Sequence, residues 1–303
     1  MRLALPFLLL LTPLATAQST DEVKATLAFI SKLRDPATGA YAVHPPKEGE
    51  KLTPSLRAVN GAVKATKYLG GEVTDQDKLK KFVLSCYNDK TGTFAEPGGK
   101  PDVTITSVGV MAAVELGIPK ESYRKAMDYL KANAKTFEEV RIAAAAVEAF
   151  GLKDSGIDLK VWERFGIDAL ASSSDAKADA RLSGSAVALI LRLEPNPETR
   201  AAKLVQAELR LLNHKVLHVG QRKDGGWAKK GALESDAETT YRVMRALKLM
   251  NERPTDIPAL KTFLVSCRRP DGGYGVDAKA PSSMSGVYYY AAVSKWLSEM
   301  EKQ

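Results

Sequence analysis

One supersecondary unit recurs along the chain: a helical segment, a tight glycine turn closed by an aromatic residue, and a second helical segment. Phe263-Leu264-Val265-Ser266-Cys267 leads through Pro270-Asp271-Gly272-Gly273 to Tyr274, and Val216-Leu217-His218-Val219-Gly220 leads through Lys223-Asp224-Gly225-Gly226 to Trp227, 47 residues earlier. Phe82 to Cys86 precedes Thr91-Gly92-Thr93-Phe94, and Phe29 to Leu33 precedes Thr38-Gly39-Ala40-Tyr41, 53 residues apart. A helical hairpin cannot bury its apolar face alone, so such a period requires stacked units.

Aligned on this pattern, the chain divides into six hairpins. They begin near Asp21, Thr74, Glu121, Asp158, Pro197 and Thr255, and end near Gly71, Gly117, Gly151, Leu193, Asn251 and Leu297. Each second arm has helical spacing after a polar start, and Asp102 and Asp236 stand where a helix N-cap belongs. Units three and four lack the glycine and aromatic turn; unit three instead carries the small-residue run Ala143-Ala144-Ala145-Ala146. Prolines fall mostly between the proposed helices, and no alternating β-branched run is long enough for a strand. The fold class is all-α. Glycine takes the positive φ of a reversing turn without a Cβ clash, and Tyr41, Phe94, Trp227 and Tyr274 are read as plugs between adjacent hairpins.

Met1-Arg2, the apolar run Leu3 to Leu14 and Ala15-Thr16-Ala17 form an export leader, expected to be cleaved after Ala17. Residues 1–17 are therefore a signal peptide and 18–303 a single domain, secreted or periplasmic, with no later apolar run near the roughly 20 residues of a membrane span. The net charge of +8 is spread over helical faces mixed with acids, with no aromatic-interleaved basic stripe, so nucleic acid is not an expected partner. Cys86 and Cys267 sit at the same phase of units two and six, too far apart in a ring of six to form a disulfide. His214 and His218 would share a helix face, read as polar surface. The chain contains no glycine-flanked serine elbow, phosphate-cradling loop or dinucleotide fingerprint.

Gln221-Arg222-Lys223-Asp224-Gly225-Gly226-Trp227 and the Asp271-Gly272-Gly273-Tyr274-Gly275 string resemble the repeats of protein prenyltransferase β subunits and of squalene and oxidosqualene cyclases. The resemblance covers nearly all of 18–303. It implies a six-hairpin α/α toroid, with first helices outside, second helices inside, and an apolar central cavity. In the prenyltransferases of this family zinc is held by an aspartate, a cysteine two residues on, and a histidine one unit later. Asp236 matches the aspartate, but Glu238 and Ser285 replace the other two ligands, so no metal or other cofactor is expected. Lys230 falls at one of the two basic positions that the resemblance assigns to a diphosphate, Leu233 at the other, and Arg181 is placed on the same rim. Against the acid string of the cyclases, Asp236-Ala237-Glu238-Thr239-Thr240 keeps two carboxylates, which point in different directions at i and i+2.

Tyr288-Tyr289-Tyr290 wrap most of the way around one inner helix, so at least one faces the cavity beside Tyr241. Three readings stay open. In the first, an exported prenyltransferase-like toroid, a transferase if it is an enzyme, binds an apolar or isoprenoid ligand. Asp236 and Glu238 are then the catalytic candidates, and Lys230, Arg181, Tyr241, Tyr288 and Tyr289 the ligand-binding ones. In the second, a non-catalytic extracytoplasmic scaffold holds a protein or peptide partner. In the third, a carbohydrate-active toroid uses Asp236 or Glu238 as acid or base, which needs a second carboxylate across the cavity.

Overall fold

Short polar side chains start the second helix of every unit. In the computed structural model, which describes residues 20–172, 179–194, 196, 198–199 and 213–302, the N-caps are Ser55, Asp102, Thr136, Asp179, Asp236 and Ser283. Each accepts a hydrogen bond from a free first-turn amide, contributing about 1 kcal/mol per cap. The helices they open are α2 (Leu56–Tyr68), α4 (Val103–Glu115), α6 (Phe137–Phe150), α8 (Ala180–Arg192), α9 (Ala237–Met250) and α11 (Met284–Glu301). The first arms are α1 (Thr20–Lys32), α3 (Gln76–Ser85), α5 (Lys125–Asn133), α7 (Leu159–Ser172) and α10 (Ile257–Ser266). The leader segment 1–17 and most of the first arm of unit five lie outside the described residues.

The second arms form a closed inner ring. Helix α2 packs on α4, α4 on α6, α6 on α8, α8 on α9, α9 on α11, and α11 returns to α2. Small residues set the spacing: Ala143, Ala144 and Ala146 of α6 are fully buried, and a Cβ on Gly184 of α8 would lie 3.0 Å from the Val243 backbone of α9. The unit boundaries that fall on described residues agree with the sequence reading to within a few residues, with Asn251 closing α9 in the left-handed region at φ 59°; the start of unit five near Pro197 lies outside the described residues. Among the described residues the all-α expectation holds apart from one two-residue β pair, Tyr87–Asn88 with Thr93–Phe94, which forms the turn of unit two, and isolated bridges such as Arg34 with Tyr41 and Arg268 with Tyr274 at other turns.

The glycine turns join neighbouring units. Gly39, Gly92, Gly225 and Gly272 all have positive φ, at 71°, 67°, 91° and 87°. Each turn lies against the next outer helix: a Cβ on Gly92 would come 2.5 Å from the Lys125 carbonyl oxygen of α5, and one on Gly225 2.0 Å from the Ala259 carbonyl carbon of α10. The last turn meets the first helix, since a Cβ on Gly272 would sit 2.6 Å from the Ala25 carbonyl oxygen of α1. Arg268 pairs with Glu22 across the same seam at 3.1 Å. In the Asp-Gly-Gly turns one oxygen of Asp224 accepts from Gly226 N and Ser235 Oγ, and Asp271 does the same with Gly273 and Ser282.

The aromatic after each turn is buried, as the plug reading requires. Trp227 is fully buried and donates from Nε1 to the Leu217 carbonyl at 2.8 Å; Tyr274 stacks on Tyr290 with ring centroids 3.6 Å apart. Cys86 and Cys267 are both free thiols, and burial pushes each up to about 11.

If the turn contacts close the ring, Gly272→Ala should cost about 1–3 kcal/mol more than Gly70→Ala. Both glycines have positive φ, but a Cβ on Gly70 meets nothing within 4 Å, so the excess reports the steric overlap. Urea unfolding of the two variants measures the difference, and equal costs would contradict the seam.

A charged lumen as candidate functional site

Inner helices of this ring turn one stripe outward to the core and another inward. On α9 the inward stripe is Glu238, Tyr241, Arg242 and Arg245, at i, i+3, i+4 and i+7; on α2 it includes Arg57, Asn60, Gly61 and Lys64. All six inner helices contribute to the resulting lumen, of about 340 Å³, at the lower end of the range of small-molecule sites.

The lumen departs from the apolar cavity expected from the sequence. Among the described residues its wall carries Arg57, Lys64, Arg141, Arg192, Arg242 and Arg245 against Glu115, Glu148 and Glu238. The charges are organised by shared carboxylates. Glu238 lies 2.7 Å from Arg242 and 3.1 Å from Arg181 on α8; Glu138, at the mouth, bridges Arg242 at 3.0 Å and Arg141 at 2.8 Å. Lower down, Glu148 bridges Arg192 at 3.0 Å and Arg245 at 2.9 Å, and Glu115 holds Lys67 at 2.8 Å with Lys64 at 3.8 Å. These bridges tie α6 to both α8 and α9 through the lumen. Met111, Met284, Tyr288, Tyr289 and Trp296 add aliphatic and aromatic surface among these charges, with Arg245 5.7 Å from the Trp296 ring.

The candidate residues fall into three groups. Glu238, Tyr241, Tyr288 and Tyr289 line the lumen, whereas Tyr290 turns away to Tyr274. Arg181 does not line the lumen but reaches Glu238. Asp236 and Lys230 are not brought to the lumen: Lys230 is exposed in the loop before α9, and Asp236 accepts from Thr239 N and Thr239 Oγ1, both at 2.8 Å. Asp236 and Glu238 thus diverge, as their i, i+2 spacing requires. His218 lies 2.7 Å from Glu252, and the side chain of His214 lies outside the described residues.

Burial pushes the Glu238 carboxyl up, but Arg242 and Arg181 outweigh it and hold the group below its ordinary value of 4.5. Glu238 is therefore an ionised acceptor and a poor proton donor. Tyr241 and Tyr288 bring their hydroxyl oxygens to 2.9 Å. Burial would raise Tyr241, but Arg245, the Tyr288 hydroxyl, Lys64 and Arg192 together bring it below 10, while burial and the Tyr241 oxygen raise Tyr288. Either hydroxyl can be the donor of this pair.

Zinc does not fit this donor set. Both oxygens of Asp236 serve the cap, Glu238 is engaged by two guanidinium groups, and Ser285 supplies a neutral hydroxyl in place of a soft or imidazole ligand. Among the described residues no three His, Cys, Asp or Glu side chains are grouped to hold a metal ion, and no helix is long and apolar enough to cross a membrane.

The luminal cations Lys64, Arg141, Arg192, Arg242 and Arg245 escaped the sequence reading. An inward polar stripe has the same periodicity as a solvated one, so hydropathy does not tell them apart. Their signal lay in the pairing of Glu238 with Arg242 at i+4 on the Tyr241 face.

Residues 3–139 and 173–302 match the family model described as the prenyltransferase alpha-alpha toroid domain. Among solved structures, protein geranylgeranyltransferase-I of Candida albicans, complexed with GGPP, is similar with a TM-score of 0.58 and 12% identity, covering 90% of both chains. A variant of the type II terpene cyclase MstE from Scytonema, in complex with geranylgeranyl dihydroxybenzoate, is similar with a TM-score of 0.55 and 12% identity, covering 93% of this chain and 97% of that one. The apo form of that cyclase gives a TM-score of 0.57. No curated protein sequence matches the chain.

Glu238 has a depressed carboxyl, so its stabilising contribution is full above 4.5 and is lost as pH falls through its lower folded value. Glu238→Gln should cost about 2 kcal/mol at pH 7, less than the roughly 3–5 of a fully buried pair because the side chain is 27% exposed. The variant should also lose less stability than the wild type between pH 5 and about pH 3. Thermal unfolding across that range checks both, and parallel pH curves would contradict the assignment.

Proposed function

The chain belongs to the prenyltransferase alpha-alpha toroid domain family, and from this premise we propose that it is an exported toroid that binds, in its lumen, an isoprenoid-type or similar chain-like molecule with an acidic end, without zinc. The observation that carries this reading is the mixed lining of the lumen, in which Tyr288, Tyr289, Trp296 and Met111 share the wall with a surplus of arginine and lysine, Arg245 lying 5.7 Å from the Trp296 ring. An amphipathic anion matches both kinds of surface. Two structural relatives are described with geranylgeranyl ligands, which is consistent with the apolar half of this assignment. Export rests on the leader Met1 to Ala17.

Binding is better supported than acid catalysis. A proton donor of the cyclase or glycosidase kind needs a carboxyl held neutral, whereas Glu238 is kept ionised by two arginines. Asp236 is spent on its helix cap. Glu148 and Glu238 both line the lumen, but each is engaged by two cations. The open lumen also favours a small ligand over a scaffold role, for which its own side chains would fill the centre.

Isothermal titration with geranylgeranyl diphosphate in EDTA tests the proposal. We expect saturable binding unchanged by the chelator and at least ~10-fold weaker in Ala145→Phe, which places a ring in the lumen from α6, where ~1.4 kcal/mol corresponds to tenfold. Binding that requires added zinc, or none at all, would contradict it.

A further inference from the structure

The end of the lumen furthest from the N-caps is basic, and the lattice of shared carboxylates does not use all of that charge. Lys64 of α2 has a side chain only 14% exposed, and its closest carboxylate oxygen, on Glu115, is 3.8 Å away, beyond hydrogen-bond reach. Lys67 already occupies Glu115, through the carboxylate at 2.8 Å and the carbonyl at 2.6 Å. Arg192, the last residue of α8, makes one contact with Glu148 through Nε, and Arg245 of α9 shares that carboxylate. Burial first, then the charges of Arg245 and Arg192, pull the Lys64 ammonium below its usual range against the opposite effects of Tyr241 and Glu115. The three cations therefore lie within one another's field.

Complementing the helix dipoles does not account for this arrangement. A cation can serve a helix C-terminus from the solvent side, as Lys67 and Lys248 do, and the benefit is smaller than the cost of desolvating an ammonium without a hydrogen-bonded partner. The lumen side of Lys64 leaves its N–H donors open to the cavity. Beside it, the Tyr241 and Tyr288 hydroxyls lie 2.9 Å apart, and whichever of the two accepts keeps its own hydrogen to donate to a further acceptor.

We infer that Lys64, Arg192, Arg245 and the Tyr241–Tyr288 hydroxyl pair form an oxyanion site at the C-terminal end of the inner helices, which takes the carboxylate, phosphate or diphosphate end of the ligand. The inference rests on the lumen being the ligand site and adds an orientation: the acidic end lies among these residues and the chain runs along Tyr288 and Tyr289. Charge-assisted hydrogen bonds from ammonium and guanidinium to an oxyanion are the strongest available here, and the low exposure of the site shields them from water.

The full-length protein is titrated with inorganic phosphate, inorganic diphosphate, geranyl phosphate and geraniol, in wild type and in Lys64→Met. We expect geranyl phosphate to bind at least ~10-fold tighter than geraniol to the wild type, and Lys64→Met to erase that preference while the Tm of the free protein stays level or rises, because a buried, unsatisfied charge has been replaced by an apolar stem. Inorganic phosphate binding as tightly as geranyl phosphate would support the oxyanion site and refute the chain-binding reading. Geraniol binding as well as geranyl phosphate would overturn the oxyanion site and leave the chain-binding reading standing. A lower Tm with unchanged anion affinity in Lys64→Met would make the lysine structural and overturn the site. Should that variant fail to fold, the wild-type comparison of geranyl phosphate with geraniol decides by itself.

Discussion

The contact on which the rest depends is between a glycine turn and the outer helix that follows it. At Gly92, Gly225 and Gly272 the backbone approaches so closely that a single methyl group would overlap a neighbouring main chain. The positive φ at these positions excludes most side chains on conformational grounds, and the neighbouring helix excludes them on steric grounds. Because the turn of unit six meets α1, the array has no exposed terminal repeat of the kind an open solenoid must cap. Closure is what makes a lumen.

Closure also determines what the lumen can contain. The capped ends of the inner helices share one rim, where Glu138 and Glu238 of the first turns meet Arg242 and Arg181, while the other ends are joined by Lys67 with Glu115 and Lys248 with Glu299. Glu138 and Glu238 in first turns, and Lys67 and Lys248 in last turns, suit the helix dipoles. With little water to screen them, luminal charges must pair, and they do so by sharing carboxylates between helices that are not neighbours in the ring, such as α6 and α9. The cation surplus left by this sharing, interspersed with tyrosine, tryptophan and methionine, gives the lumen its chemical character.

Much of the scaffold was legible in the residues. Asp-Gly-Gly-aromatic strings marked the turns, and the capping roles of Asp102 and Asp236 followed from position alone, because these are local signals that tertiary context did not override. The cavity was harder to read. Its arginines occupy helical spacings identical to those of a solvent face, and nothing in Arg141 or Arg192 distinguishes a lumen from bulk water. Asp236 illustrates the converse: it matches a family metal position, yet a cap of the same chemistry opens all six inner helices, so the match alone is not evidence of a metal. In unit three, which lacks the glycine turn, Thr136 and Glu139 form a capping box that starts α6 without it.

Native-state hydrogen exchange across the seam between the first and last units tests closure most directly. If the ring is closed through Gly272 and Ala25, the amides in the middle of α1 should exchange as slowly as those of α11, through the same global opening. An α1 that exchanges through its own low-energy opening, orders of magnitude faster than α11, would mean that the first unit is not held by the last and that the lumen is not sealed as described.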